Sequence, residues 1–249
     1  MERYVEQTKL ACLQLIDKLR GYALSSVRVA VVCYQDHPKI DTGVQAFGFA
    51  NDGMSRYVLK THDFSEPRLA AQFIGNLQRE VGGGGDTAEA ALCGLDEAVN
   101  TVNWRVDAQK IIIHSTDAPP HGDEYCKRKN ILDNFPSGCP CGHKIESIAP
   151  KIRQKGINYN LLIIDEDSKD MLADMRRIFK QHMGDSFYNE APLANADQIL
   201  GHVLRSIQSS SVRAVESLRE VSSRIPTVVT TARAHPVAMT SSMPTKKTD

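Results

Sequence analysis

The chain has 249 residues, 41% of them hydrophobic, so it can bury one substantial core, and its length fits one large domain plus a tail. Thirty basic and thirty acidic side chains cancel to a formal charge of zero. With no long block of one sign, the sequence argues against a nucleic-acid or anionic-membrane surface. The first twenty residues carry charges throughout and lack the pattern of a secretory leader, and no apolar run approaches the roughly 18 residues of a membrane span. The expectation is a cytoplasmic protein.

Val5, Cys12, Leu13, Ile16 and Leu19 recur at helical spacing, which predicts an amphipathic helix over 2–20 ending at Gly21. The run from Val27 to Tyr34 is β-branched and too apolar for a half-exposed strand, so it reads as a strand covered on both faces. Residues 42–62 hold two weaker strand-like pieces around the turn Asn51, Asp52, Gly53. A helix is expected over 66–81, stopping at the four glycines 82–85. Asp86 or Thr87 then caps a helix whose stripe is Ala88, Ala91, Leu92, Leu95, Ala98 and Val102.

A second buried strand spans 110–117 and leads into a long loop rich in Cys, Gly and Pro up to His143. A helix over 145–154, a strand over 158–164, a helix over 168–182, a short strand near 186–188 and a last helix around Ile199 to Ile207 follow. The reading is one domain over 1–220 and a disordered Ser/Thr/Pro-rich tail over 221–249. Alternating strands and helices predict a doubly wound α/β fold, Rossmann-like, with a mostly parallel sheet and helices on both faces.

In such a sheet the loops after the strands carry Asp36, His37, Asp86, Thr87, Asp117 and His121 to one edge, where ligands bind. Carboxylates suit a hard divalent cation such as Mg²⁺ or Mn²⁺, although a carboxylate after a buried strand often just caps a turn. Cys126, Cys139, Cys141 and His143 form a second candidate, for zinc, without the usual paired-cysteine knuckle. Cys12, Cys33 and Cys93 sit in apolar elements and read as small buried hydrophobes.

The glycine run lacks the Gly-Lys-Ser/Thr ending of a phosphate loop. Ser115, His114 and Asp117 lack the geometry of a nucleophilic triad, because strand neighbours point to opposite faces; His114 reads as packed beneath a helix. Trp104 reads as a packing residue.

Three separated motifs resemble the von Willebrand factor A-type domains found with alpha-type protein kinases. They are Gly-Gly-Gly-Asp-Thr-Ala-Glu (83–89), Ile-Ile-His-Ser-Thr-Asp-Ala-Pro-Pro-His-Gly (112–122) and Tyr-Gln-Asp-His (34–37); the likeness runs from about residue 3 to about residue 180 and includes Phe-Pro-Ser-Gly-Cys-Pro-Cys-Gly (135–142). The resemblance implies a metal-ion-dependent adhesion site built from three loops, with Asp86 in the second and Asp117 in the third. The first loop, an Asp-x-Thr-x-Ser or Asp-x-Ser-x-Ser motif, has no counterpart, so Asp86 and Asp117 form an incomplete site.

The strand that carries that loop is central in the family's sheet, and without it two neighbours would keep unpaired backbone groups. A truncated chain, a recruited strand or a strand donated by a partner would each answer that. The resemblance implies a non-catalytic protein-binding or scaffolding domain that engages another protein through an acidic side chain, without a tightly held cofactor. Two alternatives stand beside it: a regulatory fragment of an alpha-type serine/threonine protein kinase, and a metal-dependent hydrolase using the Asp and His residues.

Overall fold

The computed structural model describes residues 27–37, 58–77 and 86–192, together with the helical residues 9, 10, 12–14, 16 and 17. The centre of the fold is a three-stranded parallel sheet. Its strands are β3 (Lys110–Thr116), β4 (Ile157–Ile163) and β5 (Tyr188–Pro192), in that order. β4 has a strand on each side, which pairs its backbone along both edges, and all seven of its residues are buried. Its alternate residues Ile157, Tyr159, Leu161 and Ile163 face the main core.

Two helical crossovers connect the parallel strands. The first contains α4 (Ile145–Gln154), which buries Ile145, Ile148, Ala149 and Ile152, the spacing of one helical face. Pro150 lies inside this helix on its exposed side. The second crossover is α5 (Glu166–Met171) followed directly by α6 (Ala173–Met183), where the sequence suggests one helix over 168–182. Asp165 starts α5 by accepting a hydrogen bond from the Ser168 backbone N–H at 2.7 Å. Within the core the rings of Tyr159 and Phe179 stack at 4.9 Å, and Tyr188 continues the stack.

A second, two-stranded sheet pairs β1 (Val29–Tyr34) with β2 (Leu59–Ser65) antiparallel, with a bulge between Val29 and Val31. The expected α/β class is what is observed, but among the described residues the strands fall into two sheets, and β1 is not paired with β3. β1 also departs from the expected burial: none of its six residues is fully buried. Helix α1 (Pro67–Asn76) packs with Val29 and Val31 through Ala70 and Ile74. Helix α2 (Ala91–Asn100) lies against Tyr34, so closely that a Cβ on Gly94 would come within 2.5 Å of the Tyr34 ring.

Helix α2 starts later than Asp86 or Thr87 would predict, with Ala90 at its N-cap and no side-chain cap. Asp86 instead accepts a hydrogen bond from the Asn134 backbone N–H at 2.5 Å, so its carboxylate serves the neighbouring loop. Trp104 packs on the core, donates to the Ala98 carbonyl at 2.8 Å and meets Phe64 edge-on at 4.7 Å. The short helix α3 (Asp123–Cys126) lies in the loop after β3. The expected strand piece before Leu59, the glycine run, the last helix and the tail over 221–249 lie outside the described residues.

Candidate functional site

Four segments converge beyond the carboxyl ends of β1 and β3, and backbone hydrogen bonds lock them together. Ala90 N–H donates to the Gln35 carbonyl at 3.2 Å and Gln35 N–H to the Val58 carbonyl at 3.0 Å, fixing the turn after β1. Glu89 N–H donates to the Pro119 carbonyl and Thr87 N–H to the Leu132 carbonyl, both at 3.0 Å. These bonds join the segment before α2 to the start and the middle of the long loop.

Inside this junction sits a charged cluster centred on His121, which is fully buried. Its Nδ1 lies 2.9 Å from Asp133 Oδ1 and its Nε2 lies 2.7 Å from Asp36 Oδ1. The second contact is short enough for an ion pair, yet its angles do not make a directed hydrogen bond, so Asp36 Oδ1 and His121 Nε2 both lack one. Asp133 is better satisfied: its Oδ2 accepts from Gly122 N–H at 2.7 Å and its Oδ1 from Phe135 N–H at 2.8 Å. A positive φ of 129° at Gly122 permits the close turn beside it.

Burial by itself would lower the His121 pKa, but its contacts with Asp36 and Asp133 outweigh that and raise it. Burial would likewise raise Asp133, and the two backbone N–H donors and His121 reverse the direction and lower it. Asp86 is pushed up to about 6, first by burial and then by the Asp36 carboxyl facing it. Glu89 rises to about 8 through burial and the charges of Asp36, Asp117 and Asp86. Four carboxyls therefore crowd one rim, and both oxygens of Asp36 and Oδ1 of Asp86 are buried without a hydrogen bond among the described residues.

Of the residues read from the sequence, Asp36, Asp86, Asp117 and His121 come together here, and Thr87 lies exposed beside them. Asp133 and Glu89, which no motif in the sequence marks as site residues, join the cluster. His37 turns the other way, its Nε2 3.2 Å from Cys93 Sγ. Of the four expected zinc ligands, Cys139 and Cys141 lie together beside His37 and Cys93, within one cluster. Cys126 is elsewhere, its thiol donating to the Pro120 carbonyl at 3.4 Å and pushed up to about 12 by burial and by Asp133. His143 sits 3.7 Å from Asp96.

His114 is engaged at both ring nitrogens, with the Tyr34 hydroxyl at 2.7 Å and the Tyr159 hydroxyl at 2.6 Å. Burial pulls its pKa down to about 4, so the ring is neutral at pH 7, donating to one tyrosine and accepting from the other. Both nitrogens are thereby used, leaving none to activate Ser115.

No protein-family model matches the chain. It is 26% identical over 160 residues to the alpha-protein kinase vwkA of Dictyostelium discoideum, a likeness covering 64% of this chain and 22% of that protein. The chain thus spans about a fifth of the length of that relative. Among solved structures, the pilus adhesin SpaC from Lactobacillus rhamnosus GG is similar over 84% of this chain and 28% of its own, with a TM-score of 0.51 at 13% identity. Proximal thread matrix protein 1 from the mussel byssus aligns over 81% of this chain and 40% of its own, with a TM-score of 0.48 at 13% identity. In the described residues, no helix is long and apolar enough to cross a membrane.

Proposed function

We propose that this chain is a non-catalytic protein-binding module of the von Willebrand A type, whose working face is the acid-rich rim after β1 and β3. The observation that carries the reading is the set of buried carboxylate oxygens on Asp36 and Asp86 without hydrogen bonds, beside a Glu89 carboxyl that burial first, and then the neighbouring carboxylates, hold at about 8. Carboxylate oxygens held without directed hydrogen bonds fit a hard divalent cation, Mg²⁺ or Mn²⁺, which would be held by Asp36, Asp86 and Asp117. Bound there, the cation would offset the crowded negative charge and leave coordination positions for water and an acidic side chain of a partner.

These residues offer fewer protein donors than the roughly six that a hard cation takes, so binding is weak and a partner's carboxylate adds to it. Both nitrogens of His121 face carboxylates, which suits a fixed charged strut better than a general base. The likeness to vwkA favours a second reading at a larger scale, in which the module serves an alpha-type protein kinase.

Immobilised full-length chain can be tested against a library of acidic peptides, with Mn²⁺ and with chelator. The expected result is weak capture of Asp- or Glu-containing peptides that increases with Mn²⁺ and falls in Asp117→Asn. Capture indifferent to both the peptide carboxylate and the rim substitution would overturn the reading.

A further inference from the structure

We propose that His37, Cys93, Cys139 and Cys141 form a structural zinc site that ties the loop after β3 to the end of β1 and the first turn of α2. The inference stands apart from the acid-rich rim and does not depend on it. Three segments distant in sequence supply the ligands: His37 follows β1, Cys93 lies in α2, and Cys139 and Cys141 belong to the loop.

Their donor atoms converge. His37 Nε2 lies 3.2 Å from Cys93 Sγ, Cys93 Sγ lies 3.3 Å from Cys139 Sγ, and Cys139 Sγ lies 3.5 Å from His37 Nε2. With Cys141 Sγ, all four atoms fall within 4.8 Å of one another. A tetrahedral zinc ion with Zn–S near 2.3 Å and Zn–N near 2.0 Å separates its ligands by about 3.5–3.8 Å. The three shortest separations are within a few tenths of an ångström of those edges, so small movements would admit the ion.

The donor chemistry selects the metal. Three sulfurs and an imidazole suit borderline-soft zinc and disfavour Mg²⁺ or Ca²⁺, and four protein ligands make a closed site of structural type. A Cys93–Cys139 disulfide would need about 2.05 Å between sulfurs, well below the 3.3 Å observed. Packing alone explains Cys93 and Cys139, which lie with Ala90, Val58 and Leu59. It does not explain a buried imidazole nitrogen directed at two sulfurs with an exposed thiol, Cys141, closing the group.

The loop backbone is shaped for the arrangement. Gly142 N–H donates to the Cys139 carbonyl at 2.8 Å, a tight turn that brings Cys139 and Cys141 round together. Gly138 and Gly142 flank the pair at φ values of 109° and 75°, where side chains are disfavoured. On binding, each thiol releases its proton to solvent as its sulfur bonds zinc.

The test is zinc content and cobalt spectroscopy on the full chain, purified without chelator. The expected result is one zinc per chain. Cobalt exchanged into the site should show the strong visible absorption and thiolate charge-transfer band of tetrahedral sulfur-rich coordination.

Cys126→Ser and His143→Ala should keep metal and spectrum, whereas Cys93→Ser should lose both. Because Cys93 is buried and its replacement can unfold the protein, exposed Cys141→Ser serves as second variant, with circular dichroism to verify its fold. It should surrender zinc to a competing chelator that the parent chain resists. A reduced, folded chain that takes up no added zinc would overturn the proposal. So would a Cys93–Cys139 disulfide found by mass spectrometry after thiol alkylation, or a cobalt spectrum lost in Cys126→Ser but unchanged in Cys141→Ser.

Discussion

β1 and β4 differ in the opposite sense from their compositions. β1, Val-Ala-Val-Val-Cys-Tyr, is the more apolar, yet all its residues remain partly accessible, whereas β4 carries two asparagines and is buried throughout. The cause is in the neighbours. β4 is paired on both edges, and Asn160 meets its polar needs by donating to the Ile112 carbonyl at 3.1 Å. Among the described residues β1 is paired with β2 alone. Burial follows from how many elements surround a strand, and stability should therefore concentrate in the half built on β3, β4 and β5.

Truncating the aromatic stack tests that contrast most strongly. Phe179→Ala, at a fully buried position stacked on Tyr159 and facing Tyr188, should cost about 3–5 kcal/mol in urea unfolding. Val31→Ala in β1 should cost only about 1 kcal/mol, since its side chain is half-buried. Equal losses would remove the distinction between the halves.

Gly94→Ala probes the seam between them. The added methyl meets the Tyr34 ring, whose hydroxyl reaches His114 on β3, so the variant should lose about 2 kcal/mol by overpacking. A smaller loss would mean the Tyr34 ring shifts freely. Chemical denaturation reads this directly.

The rim adds a pH dependence of its own. Glu89 has its pKa raised from 4.5 to about 8, so its cost appears as pH rises above 4.5 and is complete above about 8. His121, also raised, contributes stability that is present below its ordinary 6.5 and lost as pH rises through its folded value. Asp133, lowered, contributes stability that is present above 3.8 and lost as pH falls through its folded value. The melting temperature should therefore fall between about pH 5 and about pH 8.5, and Glu89→Gln should recover about 1–2 kcal/mol at the alkaline end. A flat profile in the parent chain would show that the carboxyls are not crowded in solution.

The smallest effect belongs to the well-packed half. Asp165→Ala removes the N-cap of α5 and should cost about 1 kcal/mol in thermal unfolding at pH 7.

Legibility in the sequence follows the same division. The strand over 158–164 and the helix over 145–154 are read within about one residue of their observed bounds because apolar spacing and burial agree there. β1 is identified as a strand but not its partial exposure, because a run of valines says nothing about how many strands flank it. The role of Asp86 is missed because a capping residue and a loop-bracing carboxylate look alike until Asn134, 48 residues away, is in place.

The rim aspartates are legible from their positions after strands. Asp133 has a weaker local signal: it lies in the same loop as His121, 12 residues on, at hydrogen-bonding range only once the loop folds back. Cys93 reads as a small core residue, and nothing local announces that Cys139, 46 residues later, and His37 will meet it.

Whether the rim of Asp36, Asp86 and Asp117 takes a divalent cation can be read from thermal unfolding of the full chain at pH 8 with excess MnCl₂ or with chelator. A cation bound only by the folded state raises the melting temperature by mass action. The melting temperature of the parent chain should rise with Mn²⁺, and the rise should disappear in Asp86→Asn. An identical melting temperature with and without Mn²⁺, or a rise that persists unchanged in Asp86→Asn, would contradict cation binding at the rim.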